Sequence, residues 1–411
     1  MPNTIATANI IAKAAVKILD NELGMGSRVF RGYEDEFSKN VNGYKVGDTV
    51  SIRKPAQFRV RTGLVASNQD VIEGKTAIQV NKVAGVDFQF SSTDLALNIG
   101  DLAERVIKPA MVPIANQIDQ DLHSCALQNF WNWVGIPGAT IANYGKFLAG
   151  VQRLNEMAVP SDERSAALSP ADHVALLGNQ AQLYIDGANT DAYRKAKLGG
   201  LAGVEPFMTQ NAPTLTTGTR TNGTVSGAGQ AVTYSGAQAN SWGQTLNMAG
   251  LGAAATVRAG EVFSIAGVFA VNPVTKQVLP YLQQFVATAN ATADGSGAAA
   301  VQIAPAIITT GAYQTVSAAP AAGAVVTWNG AASTTFQQNL MFHRNALALV
   351  CVPFEKPAGV PSEQVGTQSY KGIHVMLVPY FDGPNRVSNW RLDVLYGVAA
   401  IDPRLGTRVS G

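Results

Sequence analysis

Arg258-Ala-Gly-Glu-Val-Phe-Ser-Ile-Ala-Gly-Val-Phe-Ala-Val-Asn272, followed by Pro273-Val-Thr-Lys-Gln277 and Leu282-Gln-Gln-Phe285, is the stretch on which the reading of the fold turns. Its apolar and β-branched residues predict a strand over Val257 to Val271 and another over Leu282 to Thr288, with turn-rich sequence between them. Around it, from Pro206 to Leu340, only Arg220, Arg258, Glu261, Lys276 and Asp294 are charged among many Gly, Ala, Thr, Ser and Val residues. Further strands are expected around Thr224 to Tyr234 and Val301 to Thr309. Together these predict a small antiparallel barrel or sandwich.

Outward from this block the pattern is mixed. From Thr7, taken as an N-cap, Ile11, Ala14, Ala15, Ile18 and Leu19 recur at helical spacing until Gly24 stops the helix. The acidic and aromatic run Tyr33-Glu34-Asp35-Glu36-Phe37 follows, then Asn42-Gly43 and Gly47-Asp48 lead into a strand. Val50 and Ile52, then Phe58 and Val60 with Arg59 and Arg61, alternate. Ile78, Val80, Val86, Phe88 and Phe90 supply the returning partner, so residues 48 to 90 predict a long two-stranded excursion. Asp101-x-x-Glu104 resembles a capping box opening a helix through Leu102, Val106 and Ile107, interrupted at Lys108-Pro109. Pro109 suits the first turn of a longer helix with the stripe Ile114, Ile118, Leu122, Cys125 and Ala126, kinked at Pro113 and ending near Trp131 and Trp133. Beyond Pro137-Gly138 come a helix from Asn143 to Met157, a strand from Ser165 to Leu168 and a helix start at Ser169-Pro170. Apolar runs at Ala346 to Pro353, Ile373 to Phe381 and Leu392 to Ala400 close the chain, so the β block reads as inserted into an α+β host.

The 411 residues exceed what one core usually organises, and two or three domains are expected. Charged residues are only 14% against a typical ~25%, which suits a surface packed among copies of itself. A net charge of +2 gives no basic excess for nucleic-acid binding, so any DNA contact is expected to be diffuse. No basic segment leads into an apolar one at the N-terminus and no uncharged apolar run reaches ~18 residues, so neither export nor a membrane span is expected. Cys125 and Cys351 form no disulfide framework and are read as thiols in a reducing cytoplasm.

The Arg258 to Phe285 block resembles the core of the inserted domain in the coat protein family of phage P-twenty-two, a branch of the HK-ninety-seven capsid fold. The order of segments resembles that family over nearly the whole chain. Gly47-Asp-Thr-Val-Ser-Ile-Arg-Lys-Pro55, Leu392-Asp-Val-Leu-Tyr-Gly397 and Asp402-Pro403-Arg404 are weaker supports. The resemblance implies an α+β, HK-ninety-seven-like fold with an N-terminal arm (1–47), an extended E-loop hairpin (48–90) and a peripheral domain with the long helix (91–136). An axial domain with the remaining peripheral strands (137–220 and 336–411) and an inserted antiparallel β-barrel-like domain (221–335) complete it. It also implies a major capsid protein that self-assembles, as hexamers and pentamers, into the icosahedral head shell around packaged double-stranded DNA. Scaffolding protein and portal are the implied partners, and assembly in the bacterial host cytoplasm, with expansion on DNA packaging, is the implied course. Crosslinking relatives join a lysine to an asparagine between subunits; the inserted-domain branch is not expected to.

Enzyme chemistry has few anchors here. Gly250-Leu-Gly-Ala-Ala-Ala255 formally matches a dinucleotide fingerprint, but Thr256-Val257-Arg258 reads as strand where a helix is needed, so a flexible loop is expected. GxSxG, Walker A, HExxH and paired CxxC patterns do not occur. His123 and Cys125, like Asp119 and Asp121, diverge on a helix; His173, His343 and His374 are scattered and read as packing or surface residues. No catalytic, cofactor or metal site is expected. A carbohydrate-binding or adhesion module, motivated by Trp242 and Trp328 in the Gly- and Thr-rich stretch, is the alternative, and a hydrolase a third class.

For a shell protein the candidate sites are contacts between subunits. The excursion carries Arg53, Lys54, Arg59, Arg61, Lys75 and Lys82 against Asp48, Asp70, Glu73 and Asp87, so it should seek acidic surface on a neighbour or, more plainly, keep an edge ribbon soluble. Glu34, Asp35 and Glu36 read either as a solvated face or as an ion-pair site. The Ile11, Ala15 and Ile18 stripe is expected to dock on another shell element or on scaffolding protein.

Overall fold

A computed structural model describes residues 4–31, 46–54, 56–61, 64, 68–69, 71, 74–90, 106–181, 198–355, 365–382 and 387–411. They divide into two compact units, one of residues 1–52, 77–122 and 347–399, the other of 53–76, 123–346 and 400–411. Glu34, Asp35, Glu36 and the Asp101 to Glu104 cap lie outside the described residues.

In the first unit the N-terminal helix spans Thr4–Glu22, so Thr7 lies within it and does not cap it. Ile11, Ala12, Ala15, Val16 and Leu19 are buried, and the helix packs on the strands Gly366–Tyr370 and Ile373–Asp382. These belong to a five-stranded sheet with Leu347–Val352, Val387–Ala400 and Lys82–Phe90. The chain turns at Gly24 because Asp119 accepts from the backbone N–H groups of Gly24, Met25 and Gly26 at 2.7, 3.2 and 2.8 Å. Asp119 sits on the long helix Lys108–Asn129, which carries Pro113 inside it and buries Ile114, Ile118 and Leu122. Asp121 diverges from it, accepting from Tyr396 Oη at 2.6 Å and pairing with Lys82 Nζ at 2.9 Å.

The 48–90 excursion is not one ribbon. Asp48–Arg53 pairs with Lys75–Val80, but Lys82–Phe90 leaves that pair and lies antiparallel along Val387–Ala400, from Phe90↔Ser388 to Lys82↔Tyr396. Gly85 permits this, since a Cβ there would stand 2.3 Å from the Asp393 carboxylate and 2.9 Å from the Leu392 carbonyl. The hairpin therefore ends at Val80, and Lys82 is paired within its own unit.

The second unit holds two larger sheets. One orders Trp133–Val134, Gly406–Val409, Asn339–His343, Arg164–Leu168 and Val204–Met208, with the helix Tyr144–Glu156 packed on it. Asn143 caps that helix through its side chain, accepting from Lys146 N, and Phe147, Val151 and Leu154 pack with Ala166, Met341 and Val409. A second helix, Pro170–Ala181, follows the Arg164–Leu168 strand directly.

The other sheet orders Val326–Trp328, Val262–Val271, Val278–Ala287, Ala299–Ala304, Gln244–Ala249 and Thr224–Val225. Its outer strands meet: Val225 N donates to Ala324 O at 2.9 Å and Val326 N to Gly223 O at 2.8 Å, so the six strands return on themselves. Phe263 packs on Phe285 and Trp328 at centroid distances of 5.7 and 4.8 Å inside this closed sheet. The long strand predicted from Val257 breaks at Gly260, whose φ of +94° suits glycine, and its partner begins at Val278, before Leu282. The expected Thr224 to Tyr234 strand stops at Val225, short of Gly227 and Gly229 with positive φ, and the Val301 to Thr309 strand stops before Pro305, which has no N–H to give. Gly250 to Ala255 is a packed turn: Leu251 is buried and donates its N–H to Gly297 O at 3.0 Å.

Chain enters and leaves the closed sheet side by side. Thr214–Thr216 pairs antiparallel with Thr335–Gln337, Thr216 opposite Thr335, and Ser333 N donates to Gly218 O at 2.9 Å. Above this neck Glu261 and Arg220 form a buried ion pair, Oε2 to Nε 2.6 Å. The other carboxylate oxygen accepts from Gly218 N, and the guanidinium lies 4.5 Å from the centre of the Trp328 ring.

Candidate intersubunit surfaces

Past Arg53 the hairpin continues for one rung, Lys54 N donating to Gly74 O at 2.8 Å. Farther out, the Gln69 amide serves both backbone groups of Arg59: Arg59 N donates to Oε1 at 2.8 Å and Nε2 donates to Arg59 O at 2.7 Å. A side chain thus takes the place of a strand partner at Arg59. Phe58, Arg59, Val60, Arg61 and Val71 are exposed, and Leu64 is 100% exposed. Apolar side chains in water beside guanidinium groups mark a surface that gains by being covered.

The base of the loop is held differently. Lys54 is only 7% exposed and donates through Nζ to the carbonyls of Ala239 and Asn240, at 3.0 and 3.4 Å, in the short helix Gly236–Ser241. These carbonyls close the helix C-terminus, where a cation is favoured. Trp242, the next residue, lies under two cations, with Lys54 Nζ 4.8 Å and the Arg404 guanidinium 4.6 Å from the ring centre. Arg404 is bidentate on Asp402 at 2.8 and 2.6 Å. With its side-chain amide oxygen turned to Arg404, Gln57 accepts from that guanidinium at 2.7 Å, while its backbone N–H donates to Tyr313 Oη at 2.9 Å. Burial pushes the Lys54 ammonium down to about 8, opposed by Asp402 and aided by Arg404.

The predicted contact residues therefore separate. Arg59 and Arg61 stand on the exposed loop. Lys54 is engaged by its own chain and is not offered to a neighbour. Ile11, 2% exposed, is likewise covered by the sheet of its own unit, and Ile18 is half-buried. The side chain of Arg53 lies outside the described residues. Sequence reading missed Gln57, Tyr313 and the short helix before Trp242. Trp328 is buried and Trp242 half-buried beneath its cations, so neither forms the open aromatic platform that the adhesion reading required.

Among the described residues no group of three His, Cys, Asp or Glu side chains could hold a metal, and no helix is long and apolar enough to cross a membrane. His123 is buried with Nε2 3.3 Å from Thr209 Oγ1, and burial pushes its ring down to about 4.

Solved structures also match the chain over most of its length. Mycobacterium phage Che8 matches with a TM-score of 0.48 at 11% identity, over 94% of this chain and 90% of that one. The capsid of Ralstonia phage GP4 matches at 0.43 and 9% identity, over 95% and 89%. The virus-like particle from Pyrococcus furiosus matches at 0.41 and 7% identity, over 97% and 98%. No curated protein matches the chain. The family described as "P22 coat protein - gene protein 5" matches residues 3–411. With that match spanning nearly every residue, the chain belongs to the P22 coat protein family and is a major capsid protein that forms the phage head shell.

Proposed function

We propose that the shell is built from hexamers and pentamers in which the 56–71 loop of each subunit lies on acidic surface of its neighbour, its charges choosing register and its apolar residues supplying burial. The observation that carries this is the exposed row Phe58, Arg59, Val60, Arg61 and Leu64, which a lone subunit leaves in water. In this reading the frame is HK-ninety-seven-like. The closed sheet is its inserted barrel domain, residues 221–335; the arm is 1–47, the peripheral domain 91–136, and 137–220 with 336–411 form the axial domain and remaining peripheral strands. Arg53 and the acidic run Glu34, Asp35 and Glu36 are further contact candidates. Scaffolding protein and portal act as assembly partners in the host cytoplasm. DNA is held only diffusely, in keeping with a net charge of +2, and the subunit has no enzymatic role.

Replacing Arg59 and Arg61 together with glutamate tests the loop. The variant is expected to keep its circular dichroism and to lose assembly with scaffolding protein in sedimentation. Unchanged shell yield with unchanged salt sensitivity would reduce the loop's charges to solubilising decoration.

A further inference from the structure

The loop that reaches outward is aimed from within. Three contacts fix its base, all to residues far away in sequence. Lys54 closes the carbonyl end of the Gly236–Ser241 helix, Asn240 Oδ1 accepts from Lys75 N at 2.8 Å, and Gln57 is gripped by Tyr313 and Arg404. Gly74 presses against the same helix so closely that a Cβ would stand 2.5 Å from Ala239 O. Trp242 is at the centre. It has a left-handed φ of 58°, donates Nε1–H to Ile401 O at 3.3 Å, and presents its ring to Lys54 and Arg404. The left-handed backbone turns the chain out of the helix, and the bond to Ile401 orients the indole.

We propose that Trp242, with Lys54 and Arg404 on its ring, is a positioning site that sets the direction of the 56–71 loop in the unassembled subunit, so that the loop meets its neighbour already oriented. The value of this lies in the ordering cost of association: a loop held in its bound direction loses less freedom on docking than a free one. Beyond the base, Gln69 ties the two sides of the loop together at Arg59. The site rests on the reading of the loop as an intersubunit element, but the latch itself belongs to one chain. Lys54 suits the task because its ammonium serves two carbonyls while standing over the indole ring; burial has already lowered its pKa to about 8, in agreement with a cation withdrawn from water.

The test is amide hydrogen exchange on the unassembled full-length subunit, carrying Lys54→Met, Trp242→Ala or Lys54→Arg. Lys54→Met keeps the stem and removes the charge. It is expected to raise exchange in residues 56–71 by roughly tenfold or more, the scale of losing hydrogen bonds to a charged donor, with amides in Val262–Val271 and Val278–Ala287 unchanged. Trp242→Ala should do the same or more, and Lys54→Arg should restore most of the protection. Loop exchange unchanged in both Lys54→Met and Trp242→Ala would overturn the proposal. So would a rise shared equally by loop and closed sheet, since Trp242 would then be ordinary core. Because exchange is read before assembly, either result stands apart from the Arg59 and Arg61 test: a loosened loop with normal shells would fault the intersubunit reading and leave the latch standing.

Discussion

Glu261→Gln removes one charge from the neck of the closed sheet and changes little else in volume. Glu261 is 0% exposed, and its partner Arg220 is buried beside it, so the substitution strands a guanidinium away from water. Breaking a buried pair by deleting one partner costs about 3–5 kcal/mol. Arg220 keeps its face on Trp328, worth ~0.5–2 kcal/mol, and long bonds of 3.4 Å to Gly330 O, so the lower end of that range, about 3 kcal/mol, is expected. The double change Glu261→Leu with Arg220→Met removes both charges. It leaves chiefly Gly218 N without its acceptor, which costs ~1–3 kcal/mol, so the double variant should be more stable than the single one. Urea unfolding with amide exchange in Val262–Val271 as the local probe measures both. A Glu261→Gln subunit within about 0.5 kcal/mol of the parent, or a double variant less stable than the single, would refute the claim that an isolated buried charge sets the cost.

Acid should weaken the subunit through its histidines. His123 has a folded pKa of about 4, below the ordinary 6.5, so the native state holds the ring neutral where the unfolded chain would protonate it. The stability present above pH 6.5 is then lost as pH falls toward 4, by up to about 3 kcal/mol; His173, His343 and His374 are also shifted down and act with the same sign. Urea midpoints at pH 7 and pH 4.5 should differ clearly less in His123→Gln, and an identical difference would discard His123 as the source. Residues 214–337 expressed alone should give dispersed amide spectra, because Phe263, Phe285 and Trp328 pack with one another inside the closed sheet; a collapsed spectrum would make that core dependent on its host.

Apolar, β-branched runs between turns made the closed sheet legible, but not its limits. Val262 to Val271 is apolar and β-branched enough to be read directly, whereas the break at Gly260 depends on a backbone angle that one glycine among many does not announce. The short strands Thr224–Val225 and Val326–Trp328 have too few residues to show a period, yet their neighbourhoods close the sheet. The Tyr144–Glu156 helix was expected from Asn143 to Met157, within a residue of its ends. The latch was not: Lys54 and the Ala239 carbonyl are 185 residues apart, and one lysine in a basic ribbon looks like any other until folding buries it. The stripe of the N-terminal helix was read correctly as an apolar face, but spacing says only that a face seeks cover, not which chain supplies it.

The neck has a consequence for how such a protein can change over generations. Because Thr216 and Thr335 are paired across adjacent strands, the two ends of the intervening segment lie only ~5 Å apart. To the rest of the chain, everything between them occupies the place of a hairpin turn. A segment of that kind can be lengthened, replaced or shed with small effect on the strands that continue beyond it, since the closing distance that the host must meet does not depend on what is carried beyond the neck.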